Sequence, residues 1–167
     1  MQSSAKSAFS TVDLSDTYKY DTNSYTRGFY LGDNRRTLVV QDEINLKEDN
    51  SSLYWFMHTR AAITLDADGK GAYLTQGTKK LRVDMLTNAD DAKFVINSVG
   101  PDVQRFPTDP IREGQLIGGS FTNIKVLTLE ASGSGNVYIT VKLTPVDDAF
   151  GTYSDISYVP VKDWTLE

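Results

Sequence analysis

The feature that most constrains this chain is a period of two in its apolar residues. In Leu81, Val83 and Met85 the apolar side chains fall on one side of the run 80–86, with polar or charged residues between them. Successive side chains of an extended backbone point to opposite faces, so this alternation fits a half-buried strand and no helix. Thr37 to Ile44 (TLVVQDEI) and Leu53 to Arg60 (LYWFMHTR) are further strands, rich in branched and aromatic residues. Short strands follow over 61–65 and 72–75, and Lys93 to Val99 (KFVINSV) forms another. Nowhere does an apolar stripe persist at helical spacing for three turns, and Leu14 to Tyr20 supports one turn at most.

The connections are built from turn residues. Asn45 to Ser52 lies between two strands and predicts a hairpin joining them. Ser132-Gly133-Ser134-Gly135-Asn136 predicts a second hairpin, between strands over 123–131 and 137–143. The stretch Gly100 to Gly119 holds three of the five prolines and is expected as a loop. About ten short strands with Gly, Asn and Asp turns predict an all-β fold, an antiparallel β-sandwich with little or no helix. At 167 residues the chain is expected to form one domain over 1–167, because two smaller ones would be poorly buried. Residues 1–11 are expected to be a disordered or vector-derived leader, and 144–167 a tail packed on the sandwich. The run Leu53 to Met57 is apolar on both faces, so it is expected to be a central strand or one covered on both sides. Trp55 and Met57 are expected to enter the core. Tyr54, Phe56 and His58 are expected to face the other way, toward the 100–119 loop or another domain. Trp164 is expected to pack the tail back onto a sheet.

Composition removes several classes of function. The chain has no cysteine, which excludes disulfides, cysteine zinc sites and thiol catalysis. A single histidine excludes a zinc site built on two or three imidazoles of this chain. A net charge of −5 argues against nucleic acid as a partner, since that grip needs clustered Lys and Arg. No apolar run approaches the ~20 residues that cross a bilayer, and the first residues lack the apolar stretch of a secretory signal. Membrane is therefore not an expected partner, and no cofactor or metal site is predicted.

Individual motifs are weak. Asp42 and Glu43 are adjacent in a strand and point to opposite faces, so they cannot act as an acid/base pair on one ligand. One is expected to face solvent and the other to pair with Arg27 or Arg60. Asp66-Ala67-Asp68-Gly69-Lys70-Gly71 starts like a calcium loop, but Lys70 and Gly77 stand where the fifth and twelfth ligands are needed. It is a turn. Gly133-Ser134-Gly135 lacks the following helix of a phosphate loop, and no serine sits in a Gly-x-Ser-x-Gly elbow. Tyr18, Tyr20, Tyr25 and Tyr30, with Tyr153 and Tyr158, are either sandwich core and interface or a sugar-stacking platform.

A set of segments in order carries a resemblance. Val12-Asp13-Leu14-Ser15-Asp16-Thr17-Tyr18 comes first, and Arg27-Gly28-Phe29 stands just before a strand. Leu38 to Ile44 (LVVQDEI) follows, then Trp55-Phe56-Met57-His58-Thr59 with Ala62-Ile63. Val159-Pro160-Val161-Lys162-Asp163-Trp164 closes the series. From Val12 to Trp164 this resembles the C-terminal β-sandwich of the heparinase II/III-like polysaccharide lyases, which act on heparin, heparan sulfate and alginate.

The resemblance implies a protein that cleaves uronate-containing polysaccharides by β-elimination. It implies a periplasmic or extracellular location. It also implies an N-terminal helical domain carrying the catalytic residues, which this sequence does not contain, so no catalytic residue is assigned here. β-Elimination needs a carboxylate neutraliser, a base and an acid. Tyr54, His58 and Arg60, on one side of their strand, are the candidates for contact with the anionic sugar, although His58 also reads as a structural histidine. The rival expectations are a free-standing carbohydrate-binding module and a structural sandwich with no sugar role.

Overall fold

The computed structural model describes residues 1–98, 124–146 and 155–167. Eleven strands lie among them: β1 (Gln2–Ser3), β2 (Ala8–Asp13), β3 (Thr22–Gly32), β4 (Thr37–Leu46), β5 (Ser51–Thr59), β6 (Ala62–Leu65), β7 (Gly71–Gln76), β8 (Lys79–Thr87), β9 (Asp90–Ser98), β10 (Lys125–Gly133) and β11 (Asn136–Val146). One 3-10 turn, Val161–Asp163, follows. The pairings are antiparallel and form two sheets. The larger has the order β1-β2-β3-β4-β11-β8-β7-β6, and the smaller is β5-β10-β9. The all-β sandwich expected from the alternation is the fold. Among the described residues no helix is long and apolar enough to cross a membrane.

The core lies between the sheets and follows from strand parity. On β4, Ile44 and Leu46 face inward, and the register sets Ile44 opposite Val137 of β11 and Tyr25 of β3. Val141 of β11 pairs with Met85 of β8, and Val83 pairs with Ala72 of β7. The small sheet supplies Leu53 and Trp55 from β5, Leu127 and Leu129 from β10, and Phe94 from β9. Trp55 is only 8% exposed, and Met57 packs against the cluster half-buried.

Both predicted hairpins are corrected. The connection after β4 delivers β5 to the other sheet, and the 133–136 turn carries β10 of the small sheet into β11 of the large one. Alternation states which face a strand buries, but not which neighbour it pairs with. The two crossings lie side by side: Leu46 N–H donates to Gly135 O (2.7 Å) and Asn50 N–H to Ser134 Oγ (3.0 Å). Gly133 is required there, since a Cβ would stand 2.6 Å from Val137 Cγ2. Three further corrections follow from the sheet order. Among the described residues β5 stands at the edge of the small sheet and not at its centre. Arg27-Gly28-Phe29 lies inside β3 rather than before a strand. Residues 1–11 are not disordered, since they supply β1 and most of β2.

The tail 155–167 lies on the outer face of the large sheet. That face of β4 and β11 is polar yet buried, with Gln41, Thr140, Lys142 and Thr144 all nearly inaccessible. The tail bonds to Gln41 and Glu43 of this face, while Thr140 donates to Gln41 Oε1 (3.0 Å) and Lys142 pairs with Asp33 (3.6 Å). Gln41 Nε2 donates to Val159 O (2.7 Å), and Val161 N–H donates to Glu43 Oε1 (2.7 Å). Trp164 meets Phe9 and Tyr30 edge-on at 6.1 and 5.5 Å, above Gly28. Glu167 N–H donates to Ser7 Oγ (2.7 Å), so the two ends of the chain meet. Trp164 packs 155–167 onto the large sheet as expected, whereas residues 144–146 of the expected tail belong to β11 and 147–154 lie outside the described residues. The 100–119 loop falls outside the described residues, and with it the expected cover for Tyr54, Phe56 and His58.

Candidate functional site

A groove of about 590 Å³ opens between β3–β4 of the large sheet and β5 of the small one. Its β5 wall is made by six consecutive residues, Ser51 to Phe56. Consecutive residues of a strand can line one groove only along the strand's edge, because their side chains alternate between faces. The opposite wall carries Tyr25 and Arg27 of β3, Asp42 of β4, and Tyr18 and Asp21 from the β2–β3 connection.

Arg27 and Asp42 are set opposite each other by the β3–β4 register. Arg27 Nε donates to Asp42 Oδ1 (2.6 Å) and Nη2 to Oδ2 (2.8 Å), a bidentate ion pair. The Asp42 side chain is 3% exposed and that of Arg27 is 31% exposed. Arg27 Nη2 also donates to the Tyr25 hydroxyl (3.1 Å). The Asp42 hydrogen bonds hold Arg27 protonated well above the usual arginine range, against the opposing effect of burial. Burial, then the Asp42 charge, push the Tyr25 phenol well above the usual tyrosine range. Tyr18 leans on Tyr25 with ring centres 5.0 Å apart. Among the described residues Arg27 Nη1 donates no hydrogen bond.

The far rim is aromatic. Tyr54 and Phe56 stack in parallel at 6.1 Å on the outer face of β5, and Tyr54 is 57% exposed. Of the three contact candidates, Tyr54 alone lines the groove. His58 shares its face, opposite Val126 of β10, and is exposed. Arg60 is exposed beyond the end of β5. Among the described residues this groove takes in Tyr54 and neither His58 nor Arg60. The pairing expected for Asp42 or Glu43 goes to Asp42, with Arg27 as its partner. Glu43 does not face open solvent; it accepts from Gln41 Nε2 (3.0 Å), Val161 N–H and the Tyr158 hydroxyl (3.3 Å). The groove combines a guanidinium, a phenol and an aromatic rim. The sequence signal for it was the tyrosine cluster ahead of Arg27, whose convergence with β5 depends on the crossing between sheets.

The 66–71 segment is the turn between β6 and β7. Asp66 receives Arg82 in two hydrogen bonds (2.9 and 2.6 Å), and these hold its carboxyl below the usual carboxylate range. Among the described residues no group of His, Asp and Glu is placed to hold a metal ion. No protein-family model matches the chain, and no curated protein matches it.

Proposed function

We propose that this chain is the β-sandwich of a polysaccharide lyase acting on uronate-containing glycans, with the β3–β5 groove forming one wall of the substrate cleft. The observation that carries the reading is the pairing of a partly exposed Arg27 with an aromatic rim across a 590 Å³ groove. A guanidinium recognises a carboxylate through directed N–H donors, and a flat ring covers the apolar face of a pyranose. The base and acid of the elimination belong, on this reading, to the helical domain that the resemblance implies. Tyr54 is a contact residue; His58 and Arg60 extend the contact along β5 only for a chain longer than the groove.

A free-standing carbohydrate-binding module is the second reading, and the exposed Tyr54–Phe56 stack favours it. Calorimetry with a uronate tetrasaccharide, beside an absorbance assay for unsaturated products, tests both. Binding without turnover is expected, with Tyr54→Ala weakening it about tenfold through the loss of one stacking ring. Turnover abolished by His58→Ala would place the catalytic site in this chain and overturn the account. Absence of binding would remove the glycan reading altogether.

A further inference from the structure

A second groove, of about 500 Å³, lies on the opposite face of the large sheet and shares no described residue with the first except Ile44. Register explains its lining. Ser24 and Thr26 of β3 stand beside Asn45 and Glu43 of β4, and these beside Asn136 and Tyr138 of β11. The six side chains share one face of three adjacent strands, and Asn88 and Tyr158 complete the wall.

The amides are fixed by one another. Asn23 Nδ2 donates to Asn45 Oδ1 (2.7 Å), and Asn45 Nδ2 donates to Asn136 Oδ1 (2.6 Å). Asn88 Nδ2 donates to Asn136 O (3.0 Å), and Asn88 Oδ1 accepts from Tyr138 N–H (2.8 Å). This chain orients the remaining amide N–H groups without the side-chain entropy loss that binding otherwise imposes. Tyr138 and Tyr158 stack at 4.0 Å, nearly parallel, and form the aromatic side of the groove. Among the described residues no lysine or arginine lines it, and its one charged group there is the Glu43 carboxylate, which takes up three donors.

We propose that this amide-lined groove is a binding site for the uncharged hexose units of an oligosaccharide. Amides and hydroxyls exchange donor and acceptor bonds with vicinal sugar hydroxyls, and a tyrosine ring covers the sugar's C–H face. A carboxylate in a groove with no cation rejects an anionic sugar. Among the described residues the site shares only Ile44 with the Arg27 groove and is independent of it.

The test is side-chain amide NMR of the intact chain with cellohexaose, maltohexaose and mannohexaose, and with a uronate tetrasaccharide as the charged contrast. At least one neutral hexasaccharide is expected to shift the Asn88 and Asn136 amide signals. Asn136→Ala and Asn88→Ala are each expected to weaken that binding about tenfold, as for a site built to hydrogen-bond its ligand. Tyr54→Ala leaves it unchanged. Melting curves of both Asn variants establish that they are folded, and the wild-type amide map decides independently of them. No shift with any neutral hexasaccharide, or shifts that persist in both folded Asn variants, would overturn the proposal.

Discussion

Asp42 is a carboxylate removed from water, and its charge is met by one side chain. Breaking such a pair by deleting one partner leaves the other unmatched, at a cost of about 3–5 kcal/mol. Arg27→Met, which leaves the 3%-exposed Asp42 carboxylate without its partner, is therefore expected to be strongly destabilised in urea denaturation. Replacing both partners, Arg27→Met with Asp42→Leu, is expected to recover most of that loss, since a packed apolar pair is nearly equivalent to a buried ion pair. Tyr25 adds a pH dependence. Its phenol stays protonated in the fold beyond the point, near ~10, where an unfolded tyrosine ionises. The raised value means that its contribution is fully present below pH ~10 and is lost as the pH climbs toward the folded value, by at most ~1.4 kcal/mol per pH unit. Urea midpoints at pH 8 and pH 11 are expected to separate more widely in the wild type than in Tyr25→Phe. An equal separation would mean that the hydroxyl is as well solvated as in the unfolded chain.

At the scale of elements, the tail and β3 meet at one backbone position. A Cβ on Gly28 would stand 2.6 Å from Trp164 Cη2 and 3.0 Å from Val161 Cγ2. Gly28→Ala is expected to lift the tail, lower stability by about 1–3 kcal/mol as overpacking does, and shift Trp164 emission to the red. Trp55, in the core, keeps its blue emission in the same variant. The strands themselves were legible because each carries its own period. β4, β7 and β8 fall where alternation set them, and Leu81, Val83 and Met85 share the predicted face. β3 was missed because its inward side carries Tyr25 and the ion-paired Arg27, while Phe29 is 38% exposed, so no apolar run marks the strand. The hairpins were misplaced because Asn45–Ser52 and Ser132–Asn136 have turn composition, and composition does not distinguish a turn within a sheet from a corner between two.

At the scale of the molecule, eight strands face three among the described residues, and these two layers are not matched in width. The mismatch leaves β5 as an edge, and the groove follows that edge. This is why the candidate site was only partly readable in the sequence. Arg27 was foreseen as a partner for a strand carboxylate, and Tyr54 as a contact residue. Their meeting across the groove arises from the β4–β5 crossing, which no local pattern encodes. His58 and Arg60 looked like members of the same constellation because they share β5 or its continuation, yet the groove ends at Phe56. The central claim, that this groove receives a uronate glycan, is tested most directly by backbone amide NMR during titration with a uronate tetrasaccharide. The largest shifts are expected at Tyr18, Arg27, Ser52 and Tyr54, with little change at Asn88 and Asn136. Shifts confined to other faces, or a spectrum unmoved at millimolar ligand, would contradict it.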